Sequence, residues 1–508
     1  MAEPRARALM VQGTASGAGK SVVATALCRL FATEGIRVAP FKGVNMSLEA
    51  GVTGSGAEIG RAQIVQAEAC GLDASADMNP VLLKPQGPSG CQVVLRGKAA
   101  GTVAGWDGAM DAAMRSAIAE GLARLRATCE LVVIEGAGSP AEINLRDRDL
   151  ANMHVARLAD APVILVGDID RGGVFAALLG TLELLDATDR ARVAGLVVNK
   201  LRGDVRGLAP GLAELERRAR VPVLGVLPFV HDIGIADEDA VALEGPRRAR
   251  PSPDTIDVAV IHTPRISNFD DVQALAHEPG VAVRFVDAPH EIDGADLVVL
   301  PGSKGTAEDL LWMRQRGLDR AVVDRARRGE PVLGICGGCQ ILGRSIDDPH
   351  HVESACDSLP ALDLLPVRTV FERVKVTAQV RARVRSASFL TGGAVIDDDL
   401  FGYEIHMGAL EPLREDPPGF DILTRNGEPI RVADGAVSGD GSVVGTMIHG
   451  ILENDPIRDA MLAWLRRRKG LPPPAERTRR APGDAYDALA ALVRRHLDVP
   501  RIRRIAGV

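Results

Sequence analysis

A glycine-rich stretch near the start of the chain has the residue types that bind phosphate. Residues Gly13–Ser21 read GTASGAGKS, after the apolar run Ala8–Val11 and before a helix-like pattern. In such a context glycines let backbone amides surround phosphate oxygens, the helix N-terminus adds positive potential, and a lysine supplies a mobile charge. The spacing departs from the strict motif, because five residues instead of four separate the first glycine from the last. We interpret the stretch as a phosphate loop rather than an ordinary tight turn, with these binding residues: Gly13, Thr14, Gly17, Gly19, Lys20 and Ser21.

A carboxylate at the end of another apolar run is placed to hold a metal ion. Glu135 follows Val132–Ile134 and precedes several small residues. An acid at the end of a buried strand beside a phosphate loop is a typical Mg²⁺ ligand, and a serine hydroxyl in the loop is a second one. The sequence therefore predicts Mg²⁺ at Ser21 and Glu135. The alternative is an acid that only caps the following turn.

Asn199 is a candidate for recognising the nucleotide base. It follows the run Val193–Val198 and precedes Lys200. A side-chain amide both donates and accepts hydrogen bonds, so it can read the edge of a purine ring. Position 202 is Arg, and the Asn-Lys-x-Asp signature of guanine recognition is therefore absent. We favour adenine, and ATP as the nucleotide.

Two further strand ends carry polar residues that are placed to meet a substrate in the same crevice. Lys42 and Asn45 follow the run Val38–Phe41, and a solvated loop lysine is the alternative interpretation. The run Pro162–Val166 is followed by acids and an arginine, for which a turn stabilised by aspartate side chains is the alternative. The candidate substrate residues are Lys42, Asn45, Asp168, Asp170 and Arg171.

A second set of reactive residues lies in the other half of the chain. Cys336 follows the run Val332–Ile335 and opens the sequence CGGCQ, which predicts a tight elbow between a strand and a helix. Such an elbow exposes a nucleophilic sulfur, and a helix N-terminus favours its thiolate. Cys339 makes a Cys-x-x-Cys pair, so a zinc site or a redox pair is an alternative. The sequence has no second such pair, and we favour a nucleophile at Cys336.

A cysteine nucleophile needs an oxyanion hole and a general base, and the flanking sequence offers both. The backbone amides of Gly302 and Ser303, after the run Val298–Leu300, together with that of Gly337, are placed to bind an oxyanion. His449, at the end of another apolar run, is the natural base for the cysteine, and His406 is a second candidate.

The elements that position these residues form two α/β series. In residues 1–245, apolar runs rich in Val, Ile and Leu alternate with helix-like segments, including Ile59–Ala69 and 106–126, as in a parallel sheet covered on both faces. Glu58 is expected to open the first of these helices. A linker rich in proline and arginine is predicted at 246–255, a second α/β domain at 256–455, and a helical tail at 456–508. The second series becomes β-rich, with strands expected at 374–384, 394–396 and 443–447.

Composition limits the possible functions. The chain has 508 residues, 46% of them hydrophobic and 25% charged, which is typical of a globular protein with two to four domains. A net charge of -7 and only 15 aromatic residues argue against a nucleic-acid partner. Seven scattered cysteines indicate reduced thiols. The chain shows no apolar run of membrane length and no signal peptide before its first strand, so we expect no membrane partner and a cytoplasmic protein.

These residues together resemble a known family. Cys336 in GICGGCQ and His449 in GTMIHG resemble the glutaminase domain of class I amidotransferases, in the corrinoid branch. The first half is similar to the ATP-dependent carboxylate-amine ligase domain of dethiobiotin synthetase. The resemblance covers roughly residues 8 to 460 and includes several longer motifs: 40–46, 58–63, 78–85, 142–149, 168–175, 264–269 and 301–306.

The resemblance implies a glutamine-dependent corrinoid amidotransferase. Such enzymes use ATP, Mg²⁺ and L-glutamine to amidate peripheral carboxylates of a corrin ring, here the b, d, e and g side chains of an a,c-diamide. The implied fold is α/β, with a doubly wound P-loop-type domain followed by a class I glutaminase-like domain. The implied partner is a small corrinoid molecule. The resemblance is compatible with a homo-oligomer.

Two departures from the family pattern concern the proposed catalytic and metal-binding residues. Class I glutaminases have a glutamate two residues after the histidine, but this position is Ile451 and the next acid is Glu453. The resemblance therefore implies a Cys–His dyad. The segment 51–57 also lacks the aspartate expected before Glu58, and with it a candidate Mg²⁺ ligand of the family pattern.

Three alternative functions compete with this interpretation. The closest is an enzyme of the same family that amidates the a and c carboxylates, but the motifs at 142–145, 168–175 and 264–269 favour the first interpretation. A partitioning-type switch ATPase would carry a lysine at position 15, which is Ala15 here. A non-catalytic C-terminal module is the third alternative.

Overall fold

The computed structural model describes residues 6–86, 90–103, 108–230, 252–473 and 483–508, which belong to two units. The first unit consists of Met1–Ser47, Ile59–Ala242 and Arg479–Val508, and the second of Leu48–Glu58 and Leu243–Thr478. The division differs from the predicted boundaries, because a short early segment belongs to the second unit and the last segment returns to the first. Most of the predicted linker, 246–251, and the predicted helix start at 106 lie outside the described residues.

The first unit is built on a six-stranded parallel sheet. Its strands are mainly apolar because helices cover both faces: Ala8 and Met10 join one buried cluster, and Leu9 and Val11 join the other. In spatial order the strands are Val223–Pro228, Val193–Leu201, Val163–Asp168, Arg7–Gly13, Leu131–Glu135 and Val38–Phe41. The helices are Lys20–Thr33, Arg61–Cys70, Gly108–Thr128, Met153–Ala159, Val174–Leu184, Ala187–Arg190, Ala209–Ala219, Asp484–His496 and Val499–Ala506, with 3₁₀ turns at Ile143–Arg148 and Val205–Leu208.

A smaller four-stranded sheet in the same unit was not predicted. Its strands are Val44–Met46, Val81–Pro85, Cys91–Leu95 and Lys98–Val103. The first pair is parallel and the others are antiparallel.

The predicted tail at 456–508 is divided between the two units. Helix Asp455–Lys469 packs Ile457 and Met461 into the core of the second unit. Helix Asp484–His496 instead packs Leu489 and Val493 into the first unit's core. The tail is therefore not an independent element, since each helix has an apolar face that a different core covers.

The second unit also has a six-stranded sheet, of which five neighbouring strands are parallel. In order these are Val281–Val286, Ile256–Ile261, Leu297–Leu300, Val332–Ile335, Val443–Thr446 and Ala436–Val437. The helices are Gln273–Ala276, Pro289–Ile292, Thr306–Arg316, Leu318–Arg327, Gly337–Leu342 and Asp455–Lys469, with 3₁₀ turns at Phe269–Val272, Phe389–Thr391 and Ile451–Glu453.

A second, largely antiparallel sheet completes this unit. Its strands are Ser345–Asp347, Ser358–Pro360, Val367–Val384, Leu400–Pro412, Phe420–Arg425 and Glu428–Asp434. The strand predicted at 394–396 is absent, because the chain there makes a turn and an irregular stretch. The short strands Ala50–Val52 and Glu58–Gly60 form a separate two-stranded sheet. The expectation that Glu58 opens a helix is wrong, since the helix begins at Arg61.

Candidate functional site

The phosphate loop connects the strand Arg7–Gly13 to the helix Lys20–Thr33. Its amide at Thr14 donates to the carbonyl of Val166 at 2.9 Å, which anchors the loop to the neighbouring strand. Gly17 and Gly19 have φ angles of 69° and 97°, in the region that favours glycine. A side chain at Gly19 would also lie 2.0 Å from the Asn199 amide nitrogen, so glycine is required there.

Lys20 is buried and reaches back across the loop. Its Nζ donates to the carbonyl oxygens of Ala15 at 2.9 Å and of Gly138 at 3.1 Å. Gly13 is packed beneath this side chain, since a Cβ there would lie 2.9 Å from Lys20 Cγ. The ammonium group is thus held over the loop, as binding of a phosphate requires.

The predicted metal ligands are neighbours. Ser21 Oγ donates to Glu135 Oε1 at 2.9 Å, and the fully buried Glu135 also accepts hydrogen bonds from Lys42 Nζ at 2.8 Å and from Gln66 Nε2. These hydrogen bonds fix the Glu135 carboxylate beside the Ser21 hydroxyl. Both groups supply hard oxygen ligands for a metal ion. Since Mg²⁺ takes one or two protein oxygens and completes its shell with phosphate and water, the pair fits this ion. Within the described part of the chain, no group of three or more His, Cys, Asp or Glu could hold a metal.

Lys42 is not the solvated loop lysine of the alternative interpretation. Its side chain is 4% exposed and forms a buried ion pair with Glu135. A buried carboxylate without a cation would be strongly destabilised, so this ion pair offsets the cost of burying Glu135 at the loop.

Asn199 is used differently from what we expected. Its amide nitrogen donates to the carbonyl of Ala18 at 2.9 Å, and the neighbouring Lys200 donates to Gly17 at 2.6 Å. Both side chains therefore support the phosphate loop from the strand Val193–Leu201, which lies two positions away in the sheet. The amide predicted to read the base is engaged with the loop backbone.

Most of the other candidate substrate residues have contacts within the protein. Asp168 accepts hydrogen bonds from Lys200 Nζ and from the amide of Asp170, which is the aspartate-stabilised turn of the alternative interpretation. Asp170 itself pairs with Arg202, and Arg171 is exposed. Asn45 is buried, with its amide 3.3 Å from Gln63 Oε1. The contact of these residues with a substrate stays a prediction.

In the second unit, Cys336 lies on the predicted elbow. The strand Val332–Ile335 ends directly before it and the helix Gly337–Leu342 begins directly after it. Cys336 has a φ of 50°, which is strained for a residue with a side chain. Gly338 allows the elbow to form, since a Cβ there would lie 1.9 Å from the Leu300 carbonyl oxygen. The thiol is held against the strand Leu400–Pro412, 3.8 Å from the carbonyl of Ile405.

His449 is held beside Cys336 by an acid that we did not predict. Its Nδ1 lies 2.7 Å from Asp271 Oδ2, and Asp271 Oδ1 accepts the amide of Gly450 at 2.7 Å. Burial alone would lower the pKa of His449, but Asp271 and a hydrogen bond with Cys336 raise it well above its usual value. The implied Cys–His dyad is therefore extended to a Cys–His–Asp arrangement, whose acid precedes the cysteine in the chain instead of following the histidine.

The predicted oxyanion residues surround the same point. A Cβ on Gly302 would lie 3.0 Å from His449 Cε1, and a Cβ on Gly337 would lie 2.8 Å from the Ser303 amide nitrogen. Ser303 and Ile266 pair as an isolated antiparallel β-bridge. The backbone amides of the next residues, Ser267 and Lys304, donate its hydrogen bonds. Glycine is thus needed at both positions to bring the Ser303 amide to the cysteine elbow.

The alternative residues near the cysteine have other partners. Cys339 is fully buried, and burial foremost raises its pKa well above the usual value, so it stays a thiol. His406 Nε2 lies 3.2 Å from Glu404 Oε1, in a cluster with Arg425. His449 is the histidine that faces Cys336.

Asp434 supports the strand beside the cysteine and titrates unusually. It accepts hydrogen bonds from the Thr446 hydroxyl and the Met447 amide, and Thr446 in turn accepts the amide of Cys336. Burial raises the pKa of Asp434 to about 6, although these hydrogen bonds oppose the shift.

This residue predicts a pH dependence of stability. Between about pH 4 and pH 6 the folded chain holds a proton on Asp434 that the unfolded chain has lost, so the free energy of unfolding falls as pH rises, by about 3 kcal/mol in all. The variant Asp434→Asn should show a shallower slope. Urea unfolding followed by tryptophan fluorescence checks this, since Trp312 and Trp464 belong to the second unit. An unchanged slope would contradict the assignment.

A phosphate loop with an oxygen-donor pair and a Cys–His–Asp arrangement on a strand-to-helix elbow define an ATP-using glutamine amidotransferase. Residues 9–242 match the family model described as "CobQ/CobB/MinD/ParA nucleotide binding domain", and residues 257–457 match "CobB/CobQ-like glutamine amidotransferase domain". The predicted fold class, an α/β nucleotide-binding domain followed by a glutaminase domain, is confirmed.

Relatives over nearly the whole chain give the particular family. A cobyric acid synthase of Sorangium cellulosum is 54% identical, covering 98% of both chains. One of Moorella thermoacetica is 48% identical, covering 99% of this chain and 98% of its own. One of Desulforamulus reducens is 44% identical with the same coverage as the Moorella protein. The chain belongs to the cobyric acid synthase family. It is a glutamine-dependent ligase of cobalamin biosynthesis, as the resemblance implied. Among the described residues, no helix is both long and apolar enough to span a membrane.

Proposed function

We propose that the chain amidates the b, d, e and g carboxylates of adenosylcobyrinic acid a,c-diamide, with ammonia taken from glutamine and activation by ATP and Mg²⁺. The observation that carries the residue assignment is the 2.7 Å contact of His449 with Asp271, after a strand that pairs with the one leading to the Cys336 elbow. The second support is the buried group of Ser21, Lys42 and Glu135 at the phosphate loop.

The ammonia-forming half-reaction uses the second unit. The Cys336 thiolate attacks the side-chain amide carbon of glutamine, and the backbone amides of Ser303 and Gly337 stabilise the oxyanion. His449 transfers its proton to the departing ammonia, while Asp271 keeps the imidazole oriented. A thioester on Cys336 remains, and water hydrolyses it to glutamate.

The carboxylate-activating half-reaction uses the first unit. A carboxylate is a poor electrophile, so transfer of the γ-phosphoryl group of ATP makes it an acyl phosphate. Lys20 and the loop amides bind the phosphates and stabilise their developing charge. Mg²⁺, held by Ser21 and Glu135, would neutralise phosphate oxygens when bound. Ammonia then displaces phosphate and leaves the amide. A cytoplasmic location, where ATP is available and a free thiol at Cys336 stays reduced, is part of this proposal.

Mass spectrometry of the corrinoid product tests the substrate assignment. After incubation of the a,c-diamide with ATP, Mg²⁺ and glutamine, we expect four successive amidations, one at each proposed side chain. Cobyrinic acid itself is the matched substrate for the competing assignment. Two amidations of cobyrinic acid, with none on the a,c-diamide, would contradict the proposal and favour amidation at the a and c positions.

A further inference from the structure

The second unit contains a segment from the first half of the chain. Residues Leu48–Glu58 belong to it, whereas the residues on both sides belong to the first unit. Glu49 and Ala50 of this segment are buried, and the carbonyl of Val52 accepts a hydrogen bond from Gln379 at 3.0 Å. Glu58 is also buried and forms an ion pair with Lys375. The segment is therefore an integral part of the glutaminase unit.

Asn268 is the residue on which this segment converges. Its backbone amide donates to Glu49 Oε1 at 2.8 Å, and its side-chain nitrogen Nδ2 donates to the carbonyl of Ala50 at 3.0 Å. Asn268 has a φ of 53°, a left-handed conformation that asparagine tolerates better than most residues. These contacts hold Asn268 in a conformation that sets the direction of the following 3₁₀ turn, Phe269–Val272.

Asn268 also contacts both groups that hold His449. The amide of Asp271 donates to the carbonyl of Asn268 at 3.2 Å, and Asp271 binds His449 Nδ1. On the other side, Asn268 Nδ2 lies 3.0 Å from the Tyr403 hydroxyl. The Tyr403 ring stacks on the His449 ring, with centroids 5.1 Å apart and an interplanar angle of 13°.

We propose that Glu49 is a positioning residue for glutamine hydrolysis, acting through Asn268 on the Asp271–His449 pair. The inference rests on the proposed roles of His449 and Cys336. Without the Glu49 carboxylate, the Asn268 amide loses its buried acceptor, and the turn that carries Asp271 can shift. Displacements of about 1 Å in a catalytic constellation cost on the order of 10²-fold in rate, so partial loss of the support should cost roughly tenfold.

The variant Glu49→Ala tests this. We expect the kcat for glutamine hydrolysis to fall about tenfold while the KM for glutamine stays within about twofold. The basic limb of the pH profile of kcat/KM should move to lower pH by about half a unit or more. A displaced Asp271 would stabilise the protonated form of His449 less strongly, which lowers the pKa of that histidine. Loss of folded protein would lower the rate equally at every pH and would not move the limb. Amidation with added ammonium salt should continue at the unaltered rate.

Three further variants separate the effect of the Glu49–Asn268 contact from an effect on general packing. Glu49→Gln keeps an oxygen that accepts the Asn268 amide, and it should restore most of the rate. Gln379→Ala removes a contact to Val52 of the same segment without touching Asn268, and it should leave both the rate and the pH profile unchanged. Tyr403→Phe keeps the stacked ring and loses only its hydroxyl, so it should shift the limb in the same direction by a smaller amount.

The inference is overturned if Glu49→Ala leaves the pH profile unchanged, or if Gln379→Ala has the same effect as Glu49→Ala. Should Glu49→Ala fail to fold, an unshifted limb in Tyr403→Phe overturns it instead. Failure of the proposed function is a different result, because the unaltered protein would then not amidate the a,c-diamide with either nitrogen donor.

Discussion

Replacement of Cys336 by alanine is expected to abolish amidation with glutamine and to spare amidation with added ammonium salt. The side chain is the proposed nucleophile, and removal of a nucleophile typically costs on the order of 10⁴-fold or more. The proposed activation of the corrinoid carboxylate by ATP uses residues of the other unit, and ammonia from any source can then displace the phosphate. Parallel assays of product formation with glutamine and with ammonium chloride measure both arms.

Cys339→Ala is the matched control. Cys339 belongs to the same helix as the elbow but is fully buried, so this variant should keep glutamine use within about threefold. If Cys336→Ala still used glutamine at the unaltered rate, the glutaminase assignment would be wrong. If it lost ammonium-dependent amidation as well, the separation of the two half-reactions would fail.

Replacement of Lys20 by alanine is expected to abolish amidation with both nitrogen donors. Its Nζ is held over the phosphate loop by two carbonyl oxygens, where it can neutralise the transferring phosphoryl group. Loss of such a charge from a preorganised site costs on the order of 10²–10³-fold in rate. ADP release, followed with each donor and the a,c-diamide, measures the effect.

Arg29→Ala is a suitable control for this second prediction. Arg29 lies on the same helix as Lys20 and pairs with the half-exposed Asp487, a contact worth at most about 1 kcal/mol. This variant removes the same charge far from the loop and should amidate at the unaltered rate. Full activity of Lys20→Ala would exclude the phosphate-loop assignment.

The parallel sheets could be predicted because their strands are apolar on both faces. Val38–Phe41 and Val332–Ile335 have the predicted bounds, and Leu297–Leu300 begins one residue before the run Val298–Leu300. The antiparallel strands were harder, since one face is exposed and the pattern is weak. Lys98–Val103 is exposed along nearly all its length and carries no apolar signal. Pairing with Cys91–Leu95 makes it a strand, and that long-range contact is invisible in a local pattern.

The candidate site was partly predictable for a similar reason. Cys336, His449 and Glu135 each end an apolar run, and the ends of parallel strands gather at one edge of a sheet. Asp271 lies in a short turn, 178 residues from its partner His449. The one signal was its place directly after the motif at 264–269. Asn199 was expected to follow its strand, but the strand continues to Leu201, and the hydrogen bond of its side-chain amide to the loop carbonyl depends on geometry that a local pattern does not contain.

The order of the segments also sets when each unit can finish folding. Residues 483–508 complete a core of the first unit, so a nascent chain carries an unfinished phosphate-loop unit throughout synthesis of the second. The long separation in sequence between these contacts favours slow folding and prolonged exposure of the apolar face of the first helix. Division of the gene near residue 250 would leave each fragment without a segment of its own core. Each unit therefore needs the other half of the chain to complete its core. A recombinant fragment that ends at the linker should depend on chaperones or aggregate.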